Sequence, residues 1–572
     1  MDKLLFDMKY SQLFGKPVKE EQGGSELRSH QLLQQAGFIA ESVAGRYFFL
    51  PLGWRVHDKI KAVIKKRMDA AGGQEMITPT LHPIELWEET NRTSTTGFEL
   101  MTVEDRRGAG FALGGTAEEM ITDVVRKRQI SYKELPFNIY QFSTKFRDEA
   151  RARGGLLRVR EFVMKDAYSF DRNEEEFEKT YDEMAEVYTN IFKDLGLETK
   201  KVEADGGYIG GDYCHEYQVE TPIGEGTFYE TEDGSYCAHE DVAVFEHDTI
   251  NADEEALAME IIEQPDWVKT MEDNEKHYGR PASNFLKNVV YKVTTSGEII
   301  IATIRGDLEV NKTKLERVLN LIGQLESATD EDLAALGTKS GFVHSWGHEA
   351  RYIGDLSLKS VTNFIGGQKT ETTDTKNVNY GRDFECEMLA DIAVAYDGAK
   401  TADGKTLIEK VGVEVGNIFQ LGTHYSSKMK GADYIDESGK GAPYYMGCYG
   451  IGLGRTMATI AELMNDEKGL IWPECIAPFT VYLAPIGKNA DVYTKADEIY
   501  KGLLEAGVEV IYDDRQDKKS TPGQKFGNHE LMGIPYRVVL SERLLESGEA
   551  EIVHRATGET KMVKLEDVVD QF

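Results

Sequence analysis

Cysteine is scarce in this chain of 572 residues: Cys214, Cys237, Cys386, Cys448 and Cys475 are all it has. No two lie close together, which excludes a disulfide scaffold and an all-cysteine zinc site. Proline is scarce too and glycine moderate, so a fibrous or low-complexity chain is excluded. No apolar run approaches the ~18 residues that suggest a membrane-spanning helix. The opening MDKLLFDMKYSQLFGKPVKE lacks the apolar core of a secretory signal. These absences lead to the expectation of a cytoplasmic protein with reduced thiols and no membrane partner.

Positive charge is also short. There are 66 Lys and Arg against 99 Asp and Glu, a formal net charge of -33. A broadly basic nucleic-acid surface is thereby excluded, but local basic patches are not. Any nucleic-acid contact is expected to be confined and salt-sensitive. One patch stands out. KFRDEARARGGLLRVR, residues 145–160, carries Lys145, Arg147, Arg151, Arg153, Arg158 and Arg160.

The length exceeds what one hydrophobic core usually serves, so three or more domains are expected. Residues 27–70 read as helix, loop and helix, with Trp54, Ile60, Ile64 and Met68 on one face of the second helix. FELMTVEDRRGAGFAL reads as a hairpin. The helix after Thr116 has Glu119 three residues on, the spacing of a capping box. KELPFNIYQFSTKFRDE and LLRVREFVMKDAYSF read as two antiparallel strands around the basic loop, with Arg147 and Glu149 alternating on the first. EEEFEKTYDEMAEVYTNIFKDLGL reads as an amphipathic helix. Composition changes near residue 224, and mixed α/β material runs to about 408, as in a domain inserted into a host. The host resumes and ends in APYYMGCYGIGLGRTMATIAELM, a strand, glycine-rich turn and helix. From Phe479, alternating strands and helices indicate a small α/β domain with a mostly parallel sheet.

The residue types suggest a site for a nucleotide. Arginines offer planar donors to carboxylate and phosphate. Glu149 can accept from a base amine, and Phe162 can stack on a base. Gly447, Gly450, Gly452 and Gly454 before Arg455 allow close backbone approach, and a helix starting there aims amides at an anion. Neither a Walker nor a Rossmann spacing is present, and nothing marks an activated Ser or Cys. A solvated charged loop and simple tight packing are the alternatives for these two segments.

Taken together, the segments resemble bacterial-type prolyl-tRNA synthetases, members of class II of the aminoacyl-tRNA synthetases, over nearly the whole chain. GWRVHDKIKAVIKKRMDAAGGQEMITPTL is similar to motif 1, the dimer-interface element. FRDEARARGGLLRVREFVMKDAYSF is similar to motif 2, and MGCYGIGLGRTMATI to motif 3. GGTAEE matches the proline-recognition loop, VEVGNIFQLGTHYSSKM the stretch before motif 3, and DDR with PGQKFGNHELMGIPYRVVL the anticodon-binding domain.

The resemblance implies an α+β multidomain protein. Its class II domain, an antiparallel sheet with flanking helices, would occupy 1–223 and 409–474. An inserted mixed α/β editing-like domain would occupy 224–408, and a C-terminal α/β anticodon-binding domain 475–572. It implies ATP-dependent formation of prolyl-adenylate and transfer to tRNA(Pro) by a homodimer, with ATP as substrate, Mg2+, and no zinc. Arg147 would hold the α-phosphate and the proline carboxylate. Glu149 would sit near the adenine amine, Arg158 on the triphosphate, and Phe162 on adenine. Arg455 would cover the other adenine face and reach the γ-phosphate, while Gln420 and Thr423 line the ATP pocket. Thr116 and Glu118 would take the proline imino group. His215 would lie near the proline ring, in GDYCHEY, where Cys214 and Tyr217 replace the family's serine and phenylalanine.

The insertion resembles the domain that hydrolyses alanyl-tRNA(Pro). A pocket discriminates poorly against ligands smaller than its own, which is why a second site is needed. Lys287 in SNFLKNVVYKV matches the segment bearing a functional lysine. GFVHS keeps Gly341 of the family's Gly-x-x-x-Pro loop, but Ser345 stands in place of its proline. A Cys-Pro-x-Cys element is missing near AKTADG, and Asn417 replaces a common histidine. The rivals are a threonyl or seryl enzyme of the same class, a non-catalytic tRNA-binding paralogue, and a stand-alone deacylase. The Thr-x-Glu loop, the position of the insertion and the retained Arg147, Glu149 and Arg455 disfavour them.

Overall fold

The computed structural model describes residues 8–18, 27–93, 100–150, 152–209, 213–517 and 520–572. By contacts the chain forms two units. One comprises 1–200, 216–223 and 413–572, and the other 201–215 and 224–412.

At the heart of the first unit is an antiparallel sheet. Its strands Phe137–Phe146 and Glu161–Asp171 pair from Phe137 opposite Phe170 to Phe146 opposite Glu161. Glu161–Asp171 then pairs with Tyr445–Gly452, which pairs with the later part of Leu407–Gly422. Gln74–Glu75 adds a parallel edge. The helix Glu174–Asp194 starts at Asn173, whose side chain accepts from the Glu176 amide, with three glutamates in its first turn. Cap and acids suit the positive helix start. Phe177, Tyr181, Met184, Tyr188 and Ile191 recur at helical spacing and are buried.

The helix Pro51–Ala70 buries Leu52, Val56, Ile60, Ile64 and Met68, but Trp54 is 48% exposed and lies off that face. The first of the two helices expected over 27–70 stops at Gln35. A hairpin of Ile39–Val43 and Arg46–Phe49 follows. Gly37 turns the chain at φ +76, where a Cβ would meet the Gly15 carbonyl at 1.9 Å, so the helix cannot continue through it.

The expected glycine-rich turn is also absent: Gly447, Gly450 and Gly452 lie in the strand itself, and Gly454 is already in the helix Leu453–Leu463. A Cβ on Gly447 would meet the Tyr449 hydroxyl at 2.3 Å and Phe177 at 2.8 Å, so Gly447 serves packing within a strand.

A second sheet has strands Met8–Lys9, Val510–Tyr512, Val481–Pro485, Tyr536–Leu540, Glu549–His554 and Thr560–Lys564 in that order. The first three pairings are parallel and the last two antiparallel. The edge strand Met8–Lys9 comes from the far end of the sequence. Tyr10 beside it is buried, with the Arg515 guanidinium 3.8 Å from its ring centre and its hydroxyl accepting from Asn528 at 2.8 Å.

The second unit centres on a five-stranded sheet in which Leu286–Val293 and Ile299–Arg305 pair antiparallel and Ile299–Arg305 and Arg351–Asp355 pair parallel. Its core includes Tyr291, Ile300, Leu315, Ile353 and Ile392. A three-stranded sheet of Glu260–Glu263, Thr373–Val378 and Phe364–Ile365 accompanies it. Among the described residues no helix is long and apolar enough to cross a membrane.

Candidate functional sites

In the first unit the charged residues gather at one end of the Phe137–Phe146 and Glu161–Asp171 pair. Arg147 follows directly after its strand instead of lying on it, so Arg147 and Glu149 are loop residues. The ladder continues one step through the Arg147 amide, which donates to the Arg160 carbonyl at 3.0 Å. Arg147 Nε donates to the Gly115 carbonyl at 3.3 Å, and its guanidinium lies 5.4 Å from the Phe162 ring centre. A cation is thus fixed between the Thr-x-Glu loop and an aromatic face. Arg158 Nε donates to Glu149 Oε2 at 2.9 Å, and Arg160 Nε to the Glu149 carbonyl at 2.9 Å. The expected phosphate-facing and base-facing groups therefore brace each other. Arg151 lies outside the described residues.

Arg455 stands in the first turn of Leu453–Leu463. Its Nε donates to the Leu157 carbonyl at 2.8 Å, and Nη1 meets Glu414 Oε2 at 3.2 Å. The basic loop is thereby fastened to the motif 3 helix. Gln420 lies on Leu407–Gly422 opposite Gly447. It is 1% exposed, with Oε1 buried and unpartnered among the described residues. Thr423 follows, at the start of the short helix His424–Lys428.

Thr116 and Glu118 come together in a different way from the expected cap. The helix Glu118–Arg126 has Ala117 at its N-cap and no side-chain cap. The Thr116 hydroxyl instead donates to the Glu118 carboxylate at 2.6 Å. Glu119 turns away to accept from Thr90 at 2.9 Å and Arg92 at 2.8 Å. Both glutamates are fully buried, and burial outweighs the turn geometry that would let Glu119 reach back to the cap. The Ala117 amide donates to the Tyr168 hydroxyl, which donates to Asp166 at 3.1 Å; Asp166 also pairs with Lys145 at 2.9 Å. This chain of contacts holds the Thr116–Glu118 loop on the sheet.

Arg92 carries no signal in the sequence and is central here. It is 3% exposed, and Nη1 contacts Glu118 Oε2 at 3.3 Å as well as Glu119. Burial alone would raise the Glu118 carboxyl, but Arg92 and the Thr116 hydroxyl more than offset this and hold it below the ordinary value. For Glu119, burial and the neighbouring Glu118 outweigh Arg92 and raise it. The two carboxyls are thus pushed in opposite directions around one arginine, Glu118 toward the charged form. Cys448 Sγ donates to Glu118 Oε1 at 3.2 Å, another contact that sequence alone did not show.

His215 lies on the strand Tyr213–Glu220, with its ring 5.9 Å from Tyr213, and falls in the second unit. Gly211 and Asp212 of its motif lie outside the described residues.

In the second unit Lys287 and Gly341 line one cavity of about 160 Å³, together with Phe285, Ile365, Lys369 and Asp374. Lys287 Nζ donates to the Leu308 carbonyl at 3.1 Å and pairs with Glu309. The Gly341 loop is tied down without proline. The Ser345 amide donates to the Gly367 carbonyl at 2.7 Å, a bond that a proline, lacking N–H, could not make. Asn288 Nδ2 donates to the Val343 carbonyl at 2.8 Å and to Ser345 Oγ at 3.0 Å.

A sheet with a motif 2 hairpin and a motif 3 strand–helix is the core of a class II aminoacyl-tRNA synthetase, and comparisons with known proteins agree. The family described as "tRNA synthetase class II core domain (G, H, P, S and T)" matches residues 101–464, and "Anticodon binding domain" matches 480–572. Within that class, the chain is 43% identical over 570 residues to a proline–tRNA ligase of Persephonella marina, covering 99% of each. It is 40% identical to that of Dehalococcoides mccartyi, over 99% of this chain and 98% of the relative. The chain belongs to the proline–tRNA ligase family. The fold is also that of the Giardia lamblia prolyl-tRNA synthetase in complex with prolyl-adenylate, at TM-score 0.57 and 18% identity, covering 94% of this chain and 74% of that one.

Proposed function

We propose that this chain activates L-proline with ATP and transfers the prolyl group to tRNA(Pro). The observation that carries the reading is a buried anion beside a fixed cation. Glu118 is charged by Arg92, and Arg147 is held between the Gly115 carbonyl and Phe162. Prolinium carries a positive imino group and a carboxylate. Thr116 and Glu118 suit the first, and Arg147 suits the second.

In the first step a carboxylate oxygen of proline attacks the α-phosphorus. A P–O bond forms and the bond to pyrophosphate breaks. In the second, the terminal ribose hydroxyl of tRNA attacks the acyl carbon and AMP leaves with the bonding electrons. Arg147 neutralises the carboxylate and α-phosphate so that they can approach. Phe162 and Arg455 flank adenine, Glu149 faces its amine, and Arg158 meets the triphosphate. Gln420, with its buried acceptor, and Thr423 complete the pocket.

Magnesium fits as an ion carried by the triphosphate, because a phosphate-bound Mg2+ takes only one or two protein carboxylates. Among the described residues no three metal-ligating side chains gather, and Glu414 beside Arg455 would be the carboxylate at that end. Bound there, it supplies further charge neutralisation. The enzyme would work as a cytoplasmic homodimer. Arg147→Ala is expected to lower proline-dependent adenylate formation at least ~100-fold, the scale of losing one key charge-stabilising donor. Near-normal formation in the folded variant would remove Arg147 from this role.

A second activity, hydrolysis of alanyl-tRNA(Pro), is supported by the cavity that Lys287 and Gly341 share. Release of alanine from the mischarged tRNA tests it, with Lys287→Ala expected to slow the release.

A further inference from the structure

The charges around the second-unit cavity are unevenly matched. Lys269, Lys287 and Lys369 line it, and Asp374 is the acid among its walls. Lys287 has Glu309 as a partner, and Lys369 donates to Asn274 Oδ1 at 3.3 Å. Asp374 is 2% exposed, and its hydrogen bond comes from the adjacent Thr375 amide at 2.8 Å. Among the described residues no cation forms an ion pair with it.

A buried carboxylate without a partner is costly, and proteins normally pair or remove one. Burial pushes the Asp374 carboxyl up, and the Thr375 amide, Lys369 and His344 only partly offset this. The backbone around it is held firmly. Thr375 Oγ1 donates to the Gly366 carbonyl at 2.5 Å, the Gly366 amide donates to the Thr375 carbonyl at 2.7 Å, and Gly367 carries the Ser345 amide. Gly366 and Gly367 adopt φ of +100 and +112, which brings bare backbone to the cavity wall. The carboxylate therefore belongs to a built wall of a small cavity that also has apolar faces at Phe285 and Ile365 and lysines for an anion.

We propose that Asp374 is the ammonium-binding group of this cavity, receiving the α-ammonium of a small aminoacyl ester. The proposal rests on the hydrolytic reading for the identity of that ester, the alanyl end of a mischarged tRNA. The ammonium supplies the cation that the carboxylate lacks. Phe285 and Ile365 bound the methyl side chain, and Lys269 and Lys369 suit the phosphates at the nucleotide end. A free hydroxy acid or a fatty acyl ester would leave Asp374 buried and unpaired, so the site should reject acyl groups without the amine.

Binding to the full chain tests this with two stable probes. One is 3′-deoxy-3′-(alanylamino)adenosine, and the other is its propionyl counterpart without the amine. The wild type is expected to prefer the alanyl probe by ~10-fold or more, as expected for a charge-assisted buried contact. Asp374→Asn should abolish the preference while leaving propionyl binding unchanged. Asp374→Ser, with the same expected outcome, replaces it should D374N not fold. Equal binding of both probes by the wild type, no binding, or a preference retained in a folded variant would overturn the assignment. Alanine release from alanyl-tRNA(Pro) is measured alongside. Preference without release keeps the ammonium site and removes the hydrolytic activity, whereas release with no preference does the reverse.

Discussion

Arg92 is asked to serve two carboxylates in a space closed to water. It lies 5.1 Å from the Trp87 ring centre and 5.5 Å from that of Tyr425, two aromatic neighbours of the guanidinium. Removing one member of a buried ion pair costs about 3–5 kcal/mol, because the other charge is stranded. Arg92→Met is therefore expected to lower stability by that order and, where folded, to raise the proline KM in pyrophosphate exchange ~10-fold or more. The KM for ATP should hardly change, and Arg92→Lys should recover part of the proline affinity. Equal changes in both constants would mean that Arg92 acts only on the fold.

At this scale the sequence shows residues in motifs and hides those brought in by packing. Thr116, Glu118, Arg147 and Phe162 sit in recognisable strings. Arg92 is one arginine in ETNRT, more than twenty residues before Glu118, and no spacing rule joins them. Trp54 misleads for the reason that helical spacing gives a face only to within a residue or so.

Short elements depend on partners from elsewhere in the chain. Met8–Lys9 makes a two-residue strand only because Val510–Tyr512 offers it an edge. Tyr10, stacked on Arg515, and Ser11, whose hydroxyl donates to Asp514 at 2.6 Å, fasten it. Tyr10→Ala removes a buried aromatic and should destabilise the protein by about 3–5 kcal/mol. Urea unfolding followed by circular dichroism reads this, and an unchanged midpoint would show that the strand is not part of the folded core. Nothing in MKYSQ predicts a strand, because a segment this short takes its conformation from the sheet edge. The first strand of the hairpin at 39–49 was hidden for a related reason. Its residues suit helix or strand, and the close approach of Gly37 to Gly15 decides between them. The long strands and helices were legible, since period and length agree there. The strand Tyr445–Gly452 was half legible: its glycines suggested a turn, whereas they lie in the strand, and Gly447 makes room for Tyr449 and Phe177.

Across the whole molecule, a net charge of -33 coexists with a cationic active-site loop because the positive charge is local and braced by its own acids. Arg158 leans on Glu149 and Arg455 on Glu414. These pairs fix the guanidiniums in place, and in the proposed function they are the groups that phosphates would share. The central claim is that this loop, the Glu118 pocket and Arg455 form one centre that activates proline. Amino-acid-dependent ATP–pyrophosphate exchange with the full set of amino acids tests it most directly. Proline is predicted to stimulate exchange well above every other amino acid, with alanine a weak second because it is smaller than the pocket. Exchange driven as well by threonine or serine, or no exchange with proline, would contradict the account.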